Sequence, residues 1–336
     1  MANCNKLFLD YNQNLKIPKE KKKNLKASKK ALRKRIRKYF KKNHPEYKPE
    51  FFIQGSYKMK TTILTKDNTC DLDDGVYFLR EEEATGTTLQ TWVKNAVEDA
   101  TTTPPEHRKK CIRVIYKGDY HFDFPVYYFP NDAPHPFLAV KNDDTQESDP
   151  KEVVEWYKNE KDAEGQLHRM VKYLKGWGDT KRHKMPSGLA LTILAAENIK
   201  YNERNDIAIK DTLNGIQESL NDSFSCIVPA VPNDDLFKNY DDARKKNFLD
   251  NLDDLIKDAK VATDEEPNQL KASKLWRKHL GENFPLGADE DTDKKEAALN
   301  AITASILGST AYTQKDGTIT EDVDGVKNKP HRNFGG

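Results

Sequence analysis

Cysteine is scarce in this sequence and unpatterned. The four thiols, Cys4, Cys70, Cys111 and Cys226, are far apart and form no CxxC pair. That argues against a disulfide framework and against a structural zinc site, and it fits a reducing cytoplasm. Long apolar runs are missing, so no membrane span is expected. The opening residues, MANCNKLFLDYNQNLK, lack the apolar core of a signal peptide. There is no internal repeat. Net charge is also small. The 56 Lys and Arg residues face 54 Asp and Glu residues, which leaves +2, so the whole molecule is no polycation.

What is present is uneven. The 336 residues allow one large domain or two ordinary ones. Between Lys16 and Lys42 basic residues dominate and Glu20 is the only acid. Residues 19 to 42 read as a long basic helix with Leu25, Leu32, Ile36, Tyr39 and Phe40 near one face. Two readings follow: a helix packed on the body with a solvated lysine face, or a nucleic-acid or polyphosphate surface. The first is favoured, because basic runs are common on surfaces.

From Phe51 to about Pro130 the pattern is that of strands. DLDDGVYFL is one, and CIRVIYKGDYHFDFPVYYF reads as two joined at Lys117-Gly118-Asp119. TTLQTWVKNAVEDAT lies between them as a helix. After about Pro150 the pattern turns helical. DPKEVVEWYKNEK opens on an Asp-Pro start signal, QLHRMVKYLKGWGD is amphipathic, and PSGLALTILAAENI is apolar almost all round. Further helices are expected near 209–220, 234–260, 268–280 and 294–307. The last stretch, from Thr313, is polar and Gly-rich and reads as a flexible tail.

The acids in Asp71-Leu72-Asp73-Asp74 interrupt a strand of residues that prefer burial. Half-buried carboxylates repel each other and lose solvation unless something positive sits among them. Strand parity points Asp71 and Asp73 one way and Asp74 the other. Asp123, with His121, sits on a later strand in similar apolar surroundings. Three carboxylates converging across neighbouring strands would hold divalent cations. Oxygen-only donors favour Mg²⁺ or Mn²⁺ over zinc. Two ions about 3.5–4 Å apart can activate a hydroxyl and stabilise a leaving pyrophosphate. Gly55-Ser56, just upstream, lets the backbone approach a phosphate and offers a hydroxyl donor.

QGSYKMKT, then DLDDGVYF, then HFDFPVYYFP resembles the bacterial cGAS/DncV-like nucleotidyltransferases (CD-NTases), of the polymerase-β-type superfamily. MVKYLKGWGD, MPSGLALTILAAE and LWRKHLGENFP resemble their helical half, so the likeness runs over roughly residues 10 to 290. It implies an α+β fold: a polymerase-β-like lobe of mixed sheet and helices, a helical second lobe, and an active site in the cleft between them. The expected division is 1–150 for the catalytic lobe with its basic helix, 151–310 for the helical lobe and 311–336 for the tail.

By the same resemblance, Asp71, Asp73 and Asp123 match the metal-binding triad. Gln54, Gly55 and Ser56 match the turn holding the donor triphosphate. Lys175 matches a lysine reaching that triphosphate, Ser187 a partner serine, and Arg113 a strand arginine lining the nucleotide pocket. Lys175 as a solvated lysine and Ser187 as a helix cap are the plainer alternatives. His121 reads as a packing residue or a support for the ligands, Asp74 as a residue that fixes the loop, and Trp177 and Trp276 as core.

The reading that follows is a cyclic oligonucleotide synthase using NTPs, ATP or GTP foremost, with two Mg²⁺ or Mn²⁺ ions. In the family the product is a second messenger of antiphage defence (CBASS) that turns on an effector. The rivals are a superfamily enzyme that modifies protein or RNA, such as an AMP-transferring toxin or a tRNA-end transferase, and a nucleic-acid-binding regulator using the basic helix. No membrane and no obligatory nucleic acid is expected as a partner. The ending Gly335-Gly336 suits conjugation by an E1/E2-like partner at Gly336, since glycine can enter a narrow channel.

Overall fold

The computed structural model describes residues 1–328. Helix α1 (Asn5–Asn14) and the basic helix α2 (Lys19–Asn43) lead into strand β1 (Pro49–Gln54), the short helix α3 (Gly55–Met59) and strand β2 (Asp71–Phe78). Then come α4 (Gly86–Ala96), β3 (Glu106–His107), β4 (Ile112–Tyr116), β5 (Tyr120–Phe124), β6 (Val126–Tyr128), β7 (Phe137–Leu138) and β8 (Gln146–Glu147). The second half holds α5 (Pro150–Glu160), α6 (Gln166–Lys181), α7 (Gly188–Asn198), α8 (Asn205–Asp222), α9 (Asp242–Lys260), α10 (Gln269–Leu280) and α11 (Thr292–Leu307). It ends in β9 (Tyr312–Thr313), β10 (Ile319–Thr320) and β11 (Val326–Lys327).

Strand β2 organises the main sheet, whose order is β3-β4-β5-β2-β6-β7-β8 with β1 also on β2. The whole of β1 runs antiparallel to β2, from Pro49 opposite Phe78 to Gln54 opposite Asp73. On the other side, the first half of β2 pairs in parallel with β5 and the second half with β6. β5 and β6 meet at Pro125, which has no N–H to donate but whose carbonyl accepts from Val76 N at 2.9 Å. β4 and β5 form the expected hairpin, and Gly118 turns it with φ +75°.

The side chains of Leu72, Val76, Phe78, Phe122 and Phe124 share one core with Leu25, Leu32, Ile36 and Phe40 of α2. Tyr39 packs at its edge. The basic helix is therefore an amphipathic cover for the sheet, its apolar face following helical spacing. Asp74 is on the same side of β2 and is fully buried. It receives Arg33 of α2 in a two-pronged pair at 2.7 and 2.5 Å. Its expected role in fixing the loop is thus corrected: it anchors α2 to the sheet.

The second core is helical. Met170, Val171, Leu174 and Trp177 of α6 meet α7, α8, α9 and Trp276 of α10. The first helix belongs here too. Phe8 and Tyr11 of α1 pack on Tyr173 and Phe284, and Tyr173 Oη donates to the Phe8 carbonyl at 2.8 Å. Helix α9 starts at Asp242 rather than 234. Upstream, Asp235 accepts from the N–H groups of Cys226 and Phe237, both at 2.9 Å, which commits that stretch to a turn. The polar segment after Thr313 contributes to a three-stranded antiparallel sheet, with β9 in the middle. Gly336 lies outside the described residues.

Candidate active site

The cleft between the two cores encloses about 480 Å³. Asp71, Asp73 and Asp123 line it from the sheet, α3 supplies Gly55 and Ser56 beside Gln54, and Lys175, Gly188 and Leu189 close it from α6 and α7. Register explains the convergence. Asp71 is opposite His121, and Asp73 is opposite Asp123, on neighbouring parallel strands. Alternation along each strand puts these side chains on the face away from α2.

The three carboxylates have different surroundings. Asp71 is half exposed, and its Oδ1 lies at hydrogen-bond distance, 3.0 Å, from His121 Nδ1. Asp123 is nearly buried and takes both prongs of Arg113, at 2.7 and 2.6 Å. Asp73 has no such partner. Burial first, then the charges of Asp123 and Asp71, raise its carboxyl to about 7, against the opposing pull of Arg113 and Lys175. With Asp123 turned to Arg113, the three do not gather one oxygen each within 4.8 Å of one another.

Gly55 is required where it stands. Its φ is +59°, and a Cβ there would come within 2.2 Å of Asp73 Oδ2. The α3 turn therefore lies directly on the acidic strand. Ser56 Oγ shares a hydrogen bond with Thr62 Oγ1 at 2.9 Å. Gln54 is buried, donating to Tyr127 Oη at 3.1 Å and accepting from Tyr77 Oη at 3.3 Å.

Lys175 points from α6 toward the cleft and donates to Thr61 Oγ1 at 3.1 Å. Burial lowers its ammonium to about 7, with Asp73 pulling the other way. A solvated helix lysine is therefore not what the structure contains. Ser187 is otherwise. It is exposed, its hydroxyl caps α7 by accepting from Ala190 N at 3.2 Å, and its neighbours Pro186 and Gly188 line the cleft while it does not. Arg113 likewise stands behind Asp123 rather than on the cleft wall.

Two groups on the wall escaped sequence reasoning. Thr61 and Thr62 hold Lys175 and Ser56, and Asp179 accepts from Lys66 N at 2.6 Å. The Thr-Thr pair a few residues after Gly-Ser was a visible signal for the first. None of the thiols is poised as a nucleophile. Even Cys111, near Asp123, is pushed up to about 12 by burial and then by that carboxylate.

Residues 49–127, which include β1, α3, β2 and β5, match the sequence family described as "Cyclic GMP-AMP synthase DncV-like, nucleotidyltransferase domain". Over that stretch the chain is similar to a DncV-like nucleotidyltransferase domain. Among curated proteins, a cyclic AMP-AMP-AMP synthase of Acinetobacter sp. (strain ATCC 27244 / 9458) is 27% identical over 175 residues, 48% of this chain. The matched part spans about half (50%) of that relative's length. Among solved structures, the Vibrio cholerae DncV cyclic AMP-GMP synthase aligns with a TM-score of 0.73 at 18% identity, over 85% of this chain and 98% of that one. Escherichia coli DncV, in its 3′-deoxy GTP bound form, aligns at 0.69 and 19%, over 81% and 93%. The shared architecture is α+β, a mixed sheet with helices beside a helical second half.

DncV-like nucleotidyltransferases generally use divalent metals. The cleft's donor set fits that chemistry. It is made of carboxylate oxygens, and burial, then the charges of Asp123 and Asp71, disfavour the ionised form of Asp73, a cost that a bound cation would offset. No helix among the described residues is long and apolar enough to cross a membrane.

Proposed function

We propose that this chain joins nucleoside triphosphates into a cyclic oligonucleotide. The observation that carries the reading is one cleft with Asp71, Asp73 and Asp123 on its sheet side, Lys175 opposite, and the Gly55-Ser56 turn between. Asp71, Asp73 and Asp123 would hold two divalent ions, Mg²⁺ or Mn²⁺, which activate the attacking hydroxyl and stabilise the leaving pyrophosphate. Lys175 and the Gly55-Ser56 turn position and neutralise the donor triphosphate. His121 orients Asp71, and Arg113 orients Asp123. Ser187 caps α7 and so holds Gly188 against the lysine, where a Cβ would lie 3.9 Å from Lys175 Nζ.

In the reaction, the 3′- or 2′-hydroxyl of one nucleotide forms a bond to the α-phosphorus of the other. The bond from the α-phosphorus to the oxygen bridging it to the β-phosphate breaks, pyrophosphate departs with that oxygen, and the hydroxyl proton passes to solvent. A second attack of the same kind within the linear intermediate closes the ring. ATP and GTP are the substrates best supported, since the names of the similar synthases pair AMP with AMP or with GMP. In line with the family resemblance, the product would act in the cytoplasm as an antiphage second messenger read by a separate effector.

The test is incubation with all four NTPs and Mg²⁺ or Mn²⁺, followed by phosphatase and mass spectrometry. A phosphatase-resistant cyclic product made without protein or RNA acceptor supports the reading. Label transferred only to added protein or RNA refutes it.

A further inference from the structure

A second cluster of metal-type donors lies away from the cleft carboxylates. His135 precedes β7, Asp149 caps α5, and Glu152 lies in the first turn of α5. One donor atom from each lies within 4.8 Å of the other two, and among the described residues no other group of three does this. His135 Nδ1 is shielded from solvent and makes no hydrogen bond. Yet Glu152 Oε1 stands 3.3 Å from it and Asp149 Oδ2 3.9 Å. An imidazole nitrogen facing two carboxylate oxygens without hydrogen-bond geometry is the arrangement that a cation among them would satisfy.

The carboxylates are also held as metal ligands are. Asp149 spends Oδ1 on the N–H groups of Lys151 and Glu152, at 2.9 and 3.4 Å, leaving Oδ2 toward His135. Glu152 spends Oε2 on Val231 N at 3.2 Å, leaving Oε1 toward His135. Each carboxylate's second oxygen is thus fixed by backbone N–H groups, which orients the first. The adjacent cation does not serve them. Lys151 Nζ is turned onto the rings of Phe52 and Tyr77, 3.7 and 4.9 Å from their centroids.

We propose that His135, Asp149 and Glu152 bind one zinc-class divalent ion. One imidazole with two carboxylates suits zinc or a neighbouring transition ion better than Mg²⁺. Donors at zinc distances on a tetrahedron are about 3.4 Å apart, so the Glu152 edge already fits and the Asp149 edge closes by about half an ångström. The side chains remain 23%, 12% and 40% exposed, at His135, Asp149 and Glu152, which leaves an entry path and room for water as a further ligand. The ion would staple the segment before β7 to α5, and through Glu152 to the Val231 loop between α8 and α9. Pro150 and Val153 of α5 line the cleft, so the staple sets one of its walls.

The experiment uses the full chain carrying Asp71→Asn and Asp73→Asn, so that cleft ligands do not confuse the count. Calorimetric titration with Zn²⁺ is expected to show one saturable site and a raised Tm. The visible spectrum of added Co²⁺ reports the same site independently. Adding His135→Gln is expected to weaken Zn²⁺ binding at least tenfold and to remove the Tm gain. Should that variant fail to fold, Glu152→Gln keeps an oxygen for Val231 N–H, removes one ligand, and should show the same loss. No saturable Zn²⁺ site in the parent variant overturns the proposal and leaves an ordinary histidine–carboxylate ion pair. Binding unchanged by either substitution also overturns it.

Discussion

Asp74→Asn removes one charge from a pair buried under α2 and leaves the cleft face of β2 untouched. Asp74 is fully buried, and Arg33 retains only 20% of its side-chain exposure. Removing one partner of a buried ion pair costs about 3–5 kcal/mol, because the survivor is left charged and dry. Two features pull the figure down here. Asparagine keeps one oxygen for Arg33, and the guanidinium also lies over the Phe51 ring, 5.1 Å from its centroid. The expected loss is therefore about 2–3 kcal/mol, a large share of the roughly 5–15 kcal/mol by which domains are stable.

Urea unfolding reads this directly: the midpoint should fall with the slope unchanged. Product formed per folded molecule should stay near wild type. The double change Arg33→Met with Asp74→Leu should recover much of the loss, because apolar packing can replace a buried pair. A cost for Asp74→Asn below about 0.5 kcal/mol would sink the anchoring argument. So would a folded, stable Asp74→Asn protein that makes no product, since Asp74 would then belong to the chemistry.

The cleft acids should behave oppositely. Asp71→Asn with Asp73→Asn should abolish product while thermal stability holds or rises, because ligands are lost and like-charge repulsion is relieved; retained synthesis contradicts the proposed roles. Lys175→Ala should raise the NTP concentration needed for half-maximal rate at least tenfold, with Lys175→Arg recovering only part, and wild-type kinetics at limiting NTP would remove Lys175 from the triphosphate site. Gly55→Ala combines a left-handed backbone with a contact on Asp73 and should cost about 1–2 kcal/mol from the backbone alone, together with most activity; an unchanged urea midpoint refutes it. Asp73 carries a pH signature in the metal-free protein. Its folded carboxyl is raised from 3.8 to about 7, so the folded state holds the proton more tightly, and its contribution is full below pH 4 and lost as pH rises through 7. The Asp73→Asn protein should therefore gain on wild type across that window, and parallel stability profiles would contradict the shift.

Strand parity is what made the acidic strand readable in advance. The two-residue period alone placed Asp71 and Asp73 together and Asp74 apart, and the structure has them so. The partner of Asp74 was hidden by abundance. Arg33 sits in a run where almost every position offers a cation, and only the packing of Leu32 and Ile36 on the sheet decides which one turns inward. The Asp-Pro signal before α5 marked a helix start correctly, and Asp149 caps it. That signal said nothing of Asp149 Oδ2, whose neighbour His135 comes from a loop fourteen positions earlier. Helix α1 was missed because its apolar residues are few and its burial comes from distant helices, through Phe8 on Trp276 and Tyr11 on the Leu280 carbonyl. The short strands from Tyr312 onward are two residues each, too brief to show a period.

The acids of the sheet need positive charge among them, and Asp74 and Asp73 of β2 and Asp123 of β5 meet that need in three ways. Asp74 has a permanent cation from α2, sealed on the far face of the sheet. Asp123 has Arg113 from the adjacent antiparallel strand, in register, so its charge is met within the sheet. Asp73 has no ion-pair partner and feels only the charges of Arg113, already committed to Asp123, and of Lys175, whose own ammonium is lowered to about 7 by burial. A buried acid and a buried base that each resist ionisation do not neutralise one another well. A cation bound beside Asp73 would offset the burial and like-charge costs of its ionised form. Arg113 then has a second consequence. By tying down both oxygens of Asp123 it sets a competition for that carboxylate, whereas Asp73 and Asp71 present oxygens to the cleft with no arginine on them. Under the proposed roles, Asp73 and Asp71 would meet a cation without displacing an arginine, whereas Asp123 would have to release Arg113 from one oxygen.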